Sequence, residues 1–200
     1  MRIRELAVSG GFEFTPAPKR DRRGTFVSPL QDEAFVGAVG HRFPVAQMNH
    51  IISDVGVLRG LHFTTTPPGQ CKYVYCARGR ALDVIVDIRV GSPTFGKWDS
   101  VEMDTEHYRA VYFPKGTAHA FLALEADTVM SYLVSTPYVA EHEQAIDPFD
   151  PALGLPWPKT TELVLSERDT AAVDLESARQ RGMLPDYADC VDEEGASTGR

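Results

Sequence analysis

The sequence offers little to support a scaffold held by cross-links or metal. It has three cysteines, Cys71, Cys76 and Cys190. Their number is odd and none are spaced as CxxC, which argues against a disulfide framework or zinc site and for reduced thiols in a cytoplasm. No apolar run approaches a membrane span, and the opening MRIRELAVSGG is too polar for a signal peptide. Positive charge is also short: 20 Lys and Arg against 28 Asp and Glu leave a net charge of −8. That balance disfavours partners such as a nucleic acid polymer or an anionic membrane. No GxGxxG or GxxxxGKS loop is present, and no βαβ alternation. An anionic ligand would need positive charge gathered in a pocket.

The sequence does hold period-2 segments separated by turns. In ALDVIVDIR (81–89), Leu82, Val84, Val86 and Ile88 share one face, and Asp83, Asp87 and Arg89 share the other with Ala81 and Ile85. CKYVYC (71–76), YRAVYF (108–113) and TVMSYLVS (128–135) are rich in β-branched and aromatic residues. PPGQ, ARGR, VGSPTFG and PKGTAH mark turns between strands. The pattern predicts an all-β sandwich or barrel. Helix is expected over LQDEAFVGAVG (30–40) and over SERDTAAVDLESARQRG (166–182), capped by Ser166 and stopped by Gly182. Residues 1–186 read as a single domain, and the polar stretch 187–200 as a flexible tail.

One stretch concentrates basic groups. GVLRGLHFTTTPPGQCKYV (56–74) places Arg59, His62 and Lys72 among apolar residues. Each has an ordinary reading: His62 as a hydrogen-bonded core histidine, Lys72 as a guard on an edge strand, Arg59 as a surface residue beside a bulge. Tyr132 reads equally as a core aromatic. A metal site is disfavoured, because GLHF lacks the second His of an HxH pair and His119 stands apart. Arg59 and His62 are three apart, so a regular strand would send them to opposite faces. They share a pocket only if Gly60 permits a bulge or Arg59 lies in the incoming loop.

Seven segments, in order, resemble the dTDP-4-dehydrorhamnose 3,5-epimerase family: DRRGTF (21–26), QMNHIISDVGVLRGLHF (47–63), KYVYCARGRALDVIVDIRVGSPTFGKW (72–98), YFPKGTAHAFLAL (112–124), YLVSTPY (132–138), EQAIDPFDPALGLPWP (143–158) and LSERD (165–169). The resemblance implies a jelly-roll barrel of the cupin type, used without metal or other cofactor, and a homodimer. It implies His62 as catalytic base, Asp169 as its paired acid, Tyr132 as general acid on the other face of the sugar, and Lys72 beside the ketone oxygen. It also implies that Arg23, Phe26, Gln47, Asn49, Arg59, His119, Tyr138, Glu143 and Arg168 bind or approach the substrate, a dTDP-4-keto-6-deoxy sugar.

That chemistry makes the residue types intelligible. A 4-keto group acidifies the C–H bonds at C3 and C5, a neutral imidazole can take such a proton, and an ammonium can hold the enolate oxygen. Arginines suit a diphosphate through forked hydrogen bonds. Two positions depart from the family pattern: Ser28 stands where a glutamate is usual, and Thr64 where a glutamine is common. These departures, with the wording of PPGQCKYV, look closer to the 3-epimerase branch of antibiotic deoxysugar pathways. Inversion of C3 in dTDP-4-keto-6-deoxyglucose is expected. The 3,5-double epimerase and the 5-epimerase stand as alternatives, with a 3,4-ketoisomerase or a metal-dependent cupin behind them.

Overall fold

The computed structural model describes residues 1–159 and 162–197. Thirteen strands are present among them: β1 (Arg2–Glu5), β2 (Phe12–Thr15), β3 (Lys19–Asp21), β4 (Gly24–Phe26), β5 (Gln47–Ser53), β6 (Leu58–Thr64), β7 (Lys72–Arg78), β8 (Arg80–Asp87), β9 (Trp98–Asp104), β10 (Ala110–Phe113), β11 (Thr117–Ala123), β12 (Thr128–Val134) and β13 (Glu143–Ala145). They form a six-stranded sheet, β1-β2-β10-β7-β12-β5, a five-stranded sheet, β13-β6-β11-β8-β9, and a separate hairpin, β3-β4. All pairings between these strands are antiparallel. The expected all-β sandwich or jelly roll is therefore what folds.

Three apolar clusters explain the layering. Val74, Cys76, Ala81, Ile85, Met130 and Phe121 pack together from strands of both sheets, and so mark the interior of the sandwich. Leu58, Leu61, Phe63, Val84, Val86, Ala118, Ala120 and Leu122 form a second cluster with Leu175 and Ala178, on the outer face of the five-stranded sheet. Phe14, Phe35, Tyr73 and Tyr112 form a third on the outer face of the six-stranded sheet. Strand β8 is thus buried on both sides, and its Asp-bearing face is the inward one.

Helix α1 (Asp32–Val39) ends where Gly40 adopts φ +91° and donates its N–H to the Val36 carbonyl, a left-handed stop that glycine accepts easily. Its Phe35 stands edge-on to Tyr112, with ring centroids 5.1 Å apart. The stretch 166–182 differs from expectation. It breaks into α2 (Glu167–Thr170) and α3 (Leu175–Gln180). Between them Val173 bridges Ile146, and Asp174 supplies a second N-cap by accepting from the Ser177 N–H.

Residues 187–197 also differ from the expected tail. They form α4 (Tyr187–Ser197). Tyr187, Cys190, Val191 and Glu194 recur at helical spacing and make a docking stripe. The Arg89 guanidinium lies 5.0 Å over the Tyr187 ring, Cys190 is buried, and Glu194 accepts from the Tyr112 hydroxyl. Residues 198–200 of the expected tail lie outside the described residues. Among the described residues no helix is long and apolar enough to cross a membrane.

Candidate active site

A bulge in β6 creates the site. Across the β6–β11 pair, His62 faces His119 and Arg59 faces Phe121, so three steps on β6 match two on β11. The extra residue resets the alternation. Leu58 and Leu61, three apart, both pack outward, and Arg59 and His62 both turn into the sandwich. Gly60 permits this with φ +112°. A Cβ there would strike the His119 carbonyl oxygen and lie 2.8 Å from Ala120 Cα.

Arg59 and His62 line a cavity of about 320 Å³ between the two sheets. Lys72, Tyr132, Asn49 and Ile51 enter from the six-stranded sheet. His119, Phe121 and Glu143 enter from the five-stranded sheet. Gln70, Tyr138 and Arg168 complete the wall from loops and α2. His62 and Tyr132 therefore approach from opposing sheets.

His62 Nε2 lies 2.6 Å from Asp169 Oδ1. Asp169 is placed by its helix start: Ser166 Oγ accepts from the Asp169 N–H, and Gly60 N–H donates to Asp169 Oδ2 at 3.4 Å. Burial acts to raise the Asp169 carboxyl, but hydrogen bonds from His62 and its neighbours outweigh burial and hold it below the usual carboxylate range. Burial lowers His62 despite Asp169. The pair is thus carboxylate and neutral imidazole. With Nε2–H donating to Asp169, Nδ1 keeps the lone pair that can accept a proton.

Burial also lowers Lys72 against the opposing pull of Glu143 and Asp83, while Arg168 lowers it further. Among the described residues no hydrogen bond or ion pair reaches its ammonium, so it is poised for an anionic oxygen from a ligand. Burial and Glu143 raise the Tyr132 phenol, which keeps it protonated. His119 Nε2 lies 2.6 Å from Asp83 Oδ1, a second imidazole–carboxylate pair, and burial raises Asp83. Thr64, at the departing position, donates its hydroxyl to Glu143 Oε1 at 2.6 Å.

The structure thus brings His62, Asp169, Tyr132, Lys72, Asn49, Arg59, His119, Tyr138, Glu143 and Arg168 to one place. Gln47 sits just behind, donating to Asn49 Oδ1 at 2.6 Å and accepting from the Tyr138 N–H. Arg23 and Phe26 lie elsewhere, on the β3-β4 hairpin, where Arg23 pairs with Asp21 and Phe26 is 68% exposed. Asp83, Gln70, Ile51 and Phe121 were not singled out from sequence. Asp83 carried a signal, as a carboxylate alternating with Ala81 and Ile85 in a β-run.

The profile of the family described as dTDP-4-dehydrorhamnose 3,5-epimerase matches residues 5–177. The chain belongs to that family. Membership makes it an isomerase, a dTDP-sugar epimerase. It is 47% identical to a dTDP-4-dehydrorhamnose 3,5-epimerase of Mycolicibacterium smegmatis over 95% of this chain and 94% of the relative. It is 46% identical to a dTDP-4-dehydro-6-deoxyglucose 3-epimerase of Streptomyces bikiniensis over 91% and 93%. A solved 3'-monoepimerase from Streptomyces bikiniensis in complex with dTDP-quinovose superposes with TM-score 0.92 at 43% identity, covering 98% of each chain. An epimerase structure from Mycobacterium tuberculosis gives TM-score 0.94 at 44% identity, covering 98% of this chain and all of the other. Both 3,5-epimerases and 3-epimerases are therefore near relatives, as is a 4-keto-6-deoxy sugar epimerase from the novobiocin biosynthetic gene cluster of Streptomyces spheroides, with TM-score 0.92 at 43% identity over 95% of each chain.

Proposed function

We propose that this epimerase inverts C3 of dTDP-4-keto-6-deoxyglucose by proton transfer through an enolate. The observation that carries the reading is that His62 and Tyr132 stand on opposing sheets of one cavity, which Lys72 also lines from β7, the neighbour of Tyr132's strand. His62 Nδ1 takes the proton on the carbon beside the ketone, and Asp169 stabilises the imidazolium that forms. The electron pair moves onto the ketone oxygen, where the Lys72 ammonium meets it. A preorganised charge of this kind lowers a barrier by roughly 3–4 kcal/mol. The Tyr132 hydroxyl returns a proton from the other face, which inverts the centre. Arg59 and Arg168 suit the diphosphate.

A 3,5-double epimerase uses the same groups, since C5 also adjoins the ketone, and relatives of both kinds are equally similar. Incubation with dTDP-4-keto-6-deoxyglucose in deuterium oxide separates the readings. Deuterium and inversion at C3 alone support the 3-epimerase. Inversion at both carbons establishes the double enzyme, and a shifted carbonyl excludes simple epimerisation.

A homodimer accounts for the two displaced residues. The β3-β4 hairpin exposes Phe26 with Arg23, and edge strand β5 exposes Met48 and Ile52. A second copy offers such a surface its cover and gives Arg23 and Phe26 a ligand to reach. Sedimentation at micromolar concentration tests this, and a monomer would refute it. Three buried free thiols suit a reducing cytoplasm.

A further inference from the structure

We propose that Gln70 is a positioning residue for Tyr138, fixing the strap that carries this ring across the cavity mouth. The inference rests on the epimerase reading, in which Tyr138 lies against bound ligand. Residues 135–139 have no regular secondary structure, and Tyr138 is 58% exposed. A ring on such a strap meets a ligand well only if the backbone beneath it is held.

Two side-chain amides hold it. On one side Gln47 Oε1 accepts from the Tyr138 N–H at 3.2 Å. On the other, Gln70 Nε2 donates to the Thr136 carbonyl at 2.9 Å and to Thr136 Oγ1 at 3.2 Å. Thr136 Oγ1 in turn donates to the Gly69 carbonyl, and Cys71 N–H donates to Ser135 Oγ. Gln70 is 9% exposed and lines the cavity, directly before the Cys71–Lys72 entry into β7. Its amide thus ties the strap, two residues before Tyr138, to the strand that presents Lys72. The shorter of its two bonds goes to a backbone carbonyl, so this part of the tie does not need the Thr136 hydroxyl.

The test is a double-mutant cycle of Gln70→Met and Tyr138→Ala. KM and kcat are read with dTDP-4-keto-6-deoxyglucose, dTDP affinity by calorimetry, and Tm alongside. Gln70→Met keeps the side chain's length and removes its donor. The expected result is a rise of about tenfold in KM and in the dTDP Kd, with kcat within about twofold. Tyr138→Ala weakens binding by itself, and Gln70→Met then adds less than about twofold. An equal effect of Gln70→Met in both backgrounds overturns the proposal, because Gln70 would then touch ligand directly. A lowered Tm with unchanged KM and Kd also overturns it. Should Gln70→Met not fold, Gln70→Asn withdraws the amide from the carbonyl and takes its place. If the wild type binds dTDP but turns over no 4-keto sugar, the epimerase reading fails while the dTDP cycle still decides the role of Gln70. A wild type that binds neither ends both.

Discussion

Nε2 of His62 and Oδ1 of Asp169 meet at 2.6 Å, although 107 positions separate them in the chain. The carboxylate is 1% exposed and the imidazole 24%, so the imidazole faces the cavity and the carboxylate stands behind it. Asp169→Asn should therefore leave the fold intact and lower kcat by about 10²–10⁴, through loss of the tautomer and of imidazolium stabilisation. The pH profile supplies a sign. Asp169 opposes the downward shift that burial imposes on His62. Removing that charge lowers the imidazole further, so the acidic limb of kcat/KM moves to lower pH. A limb moving upward would refute the pairing.

Lys72 should show activity and stability in opposition. Burial lowers its folded value below the ordinary 10.5. A cation with a depressed folded value costs stability while protonated, and that cost fades as pH rises through the folded value. At pH 7 Lys72→Met removes a buried charge at similar volume. It should raise Tm by a few degrees while lowering kcat about 10²–10³-fold. The alkaline limb of the wild type is expected to report this ammonium, since burial lowers Lys72 and raises the Tyr132 phenol. Thermal scans and pH–rate profiles of the two proteins decide the matter.

Much of this was legible beforehand, and the failures have physical causes. The strands of β7, β8, β10 and β12 follow from alternation and intervening turns. Spacing also left two ways for Arg59 and His62, three apart, to share a pocket, a bulge at Gly60 or Arg59 in the incoming loop, and the structure has the bulge. Asp83 stayed hidden because an alternating strand is ordinarily polar outward, whereas β8 is buried on both faces and turns its carboxylates inward. The break between α2 and α3 was missed because Asp174 reads as helix interior until its side chain is seen capping Ser177. Helix α4 was missed because its composition is polar, although Tyr187, Cys190, Val191 and Glu194 share one stripe. The roles of Arg23 and Phe26 came from resemblance alone, and nothing in the spacing of the hairpin connects them to His62.

Gly60→Ala should be among the most damaging small substitutions. The new Cβ meets the His119 carbonyl and Ala120 at a backbone with φ +112°. Relief requires β6 and β11 to separate or slip, and a slip sends Arg59 or His62 to the outer face. A loss of roughly 3 kcal/mol or more is expected, combining backbone strain with overpacking. The readout is soluble yield and Tm. A variant of wild-type Tm and activity would show that the bulge does not depend on glycine.

Helix α4 should protect the thiol beside Lys72. Cys71 is 2% exposed, donates towards Glu194 of α4, and its thiol is pushed up to about 12, chiefly by burial. Cys76 and Cys190 are buried too, each pushed up to about 11. Thiolates are the reactive form, so the native chain should show no fast-reacting thiol towards an aromatic disulfide reagent at pH 8. Ending the chain after Asp186 removes Cys190 and withdraws Glu194 from Tyr112 and Cys71. One thiol, Cys71, should then react fast, while Cys76 on the inner face of β7 stays protected. Tryptic mapping of the labelled protein identifies the site. Labelling at Cys76 instead would mean that truncation opens the sandwich itself, and continued protection of both would mean that the strands rather than α4 shield Cys71.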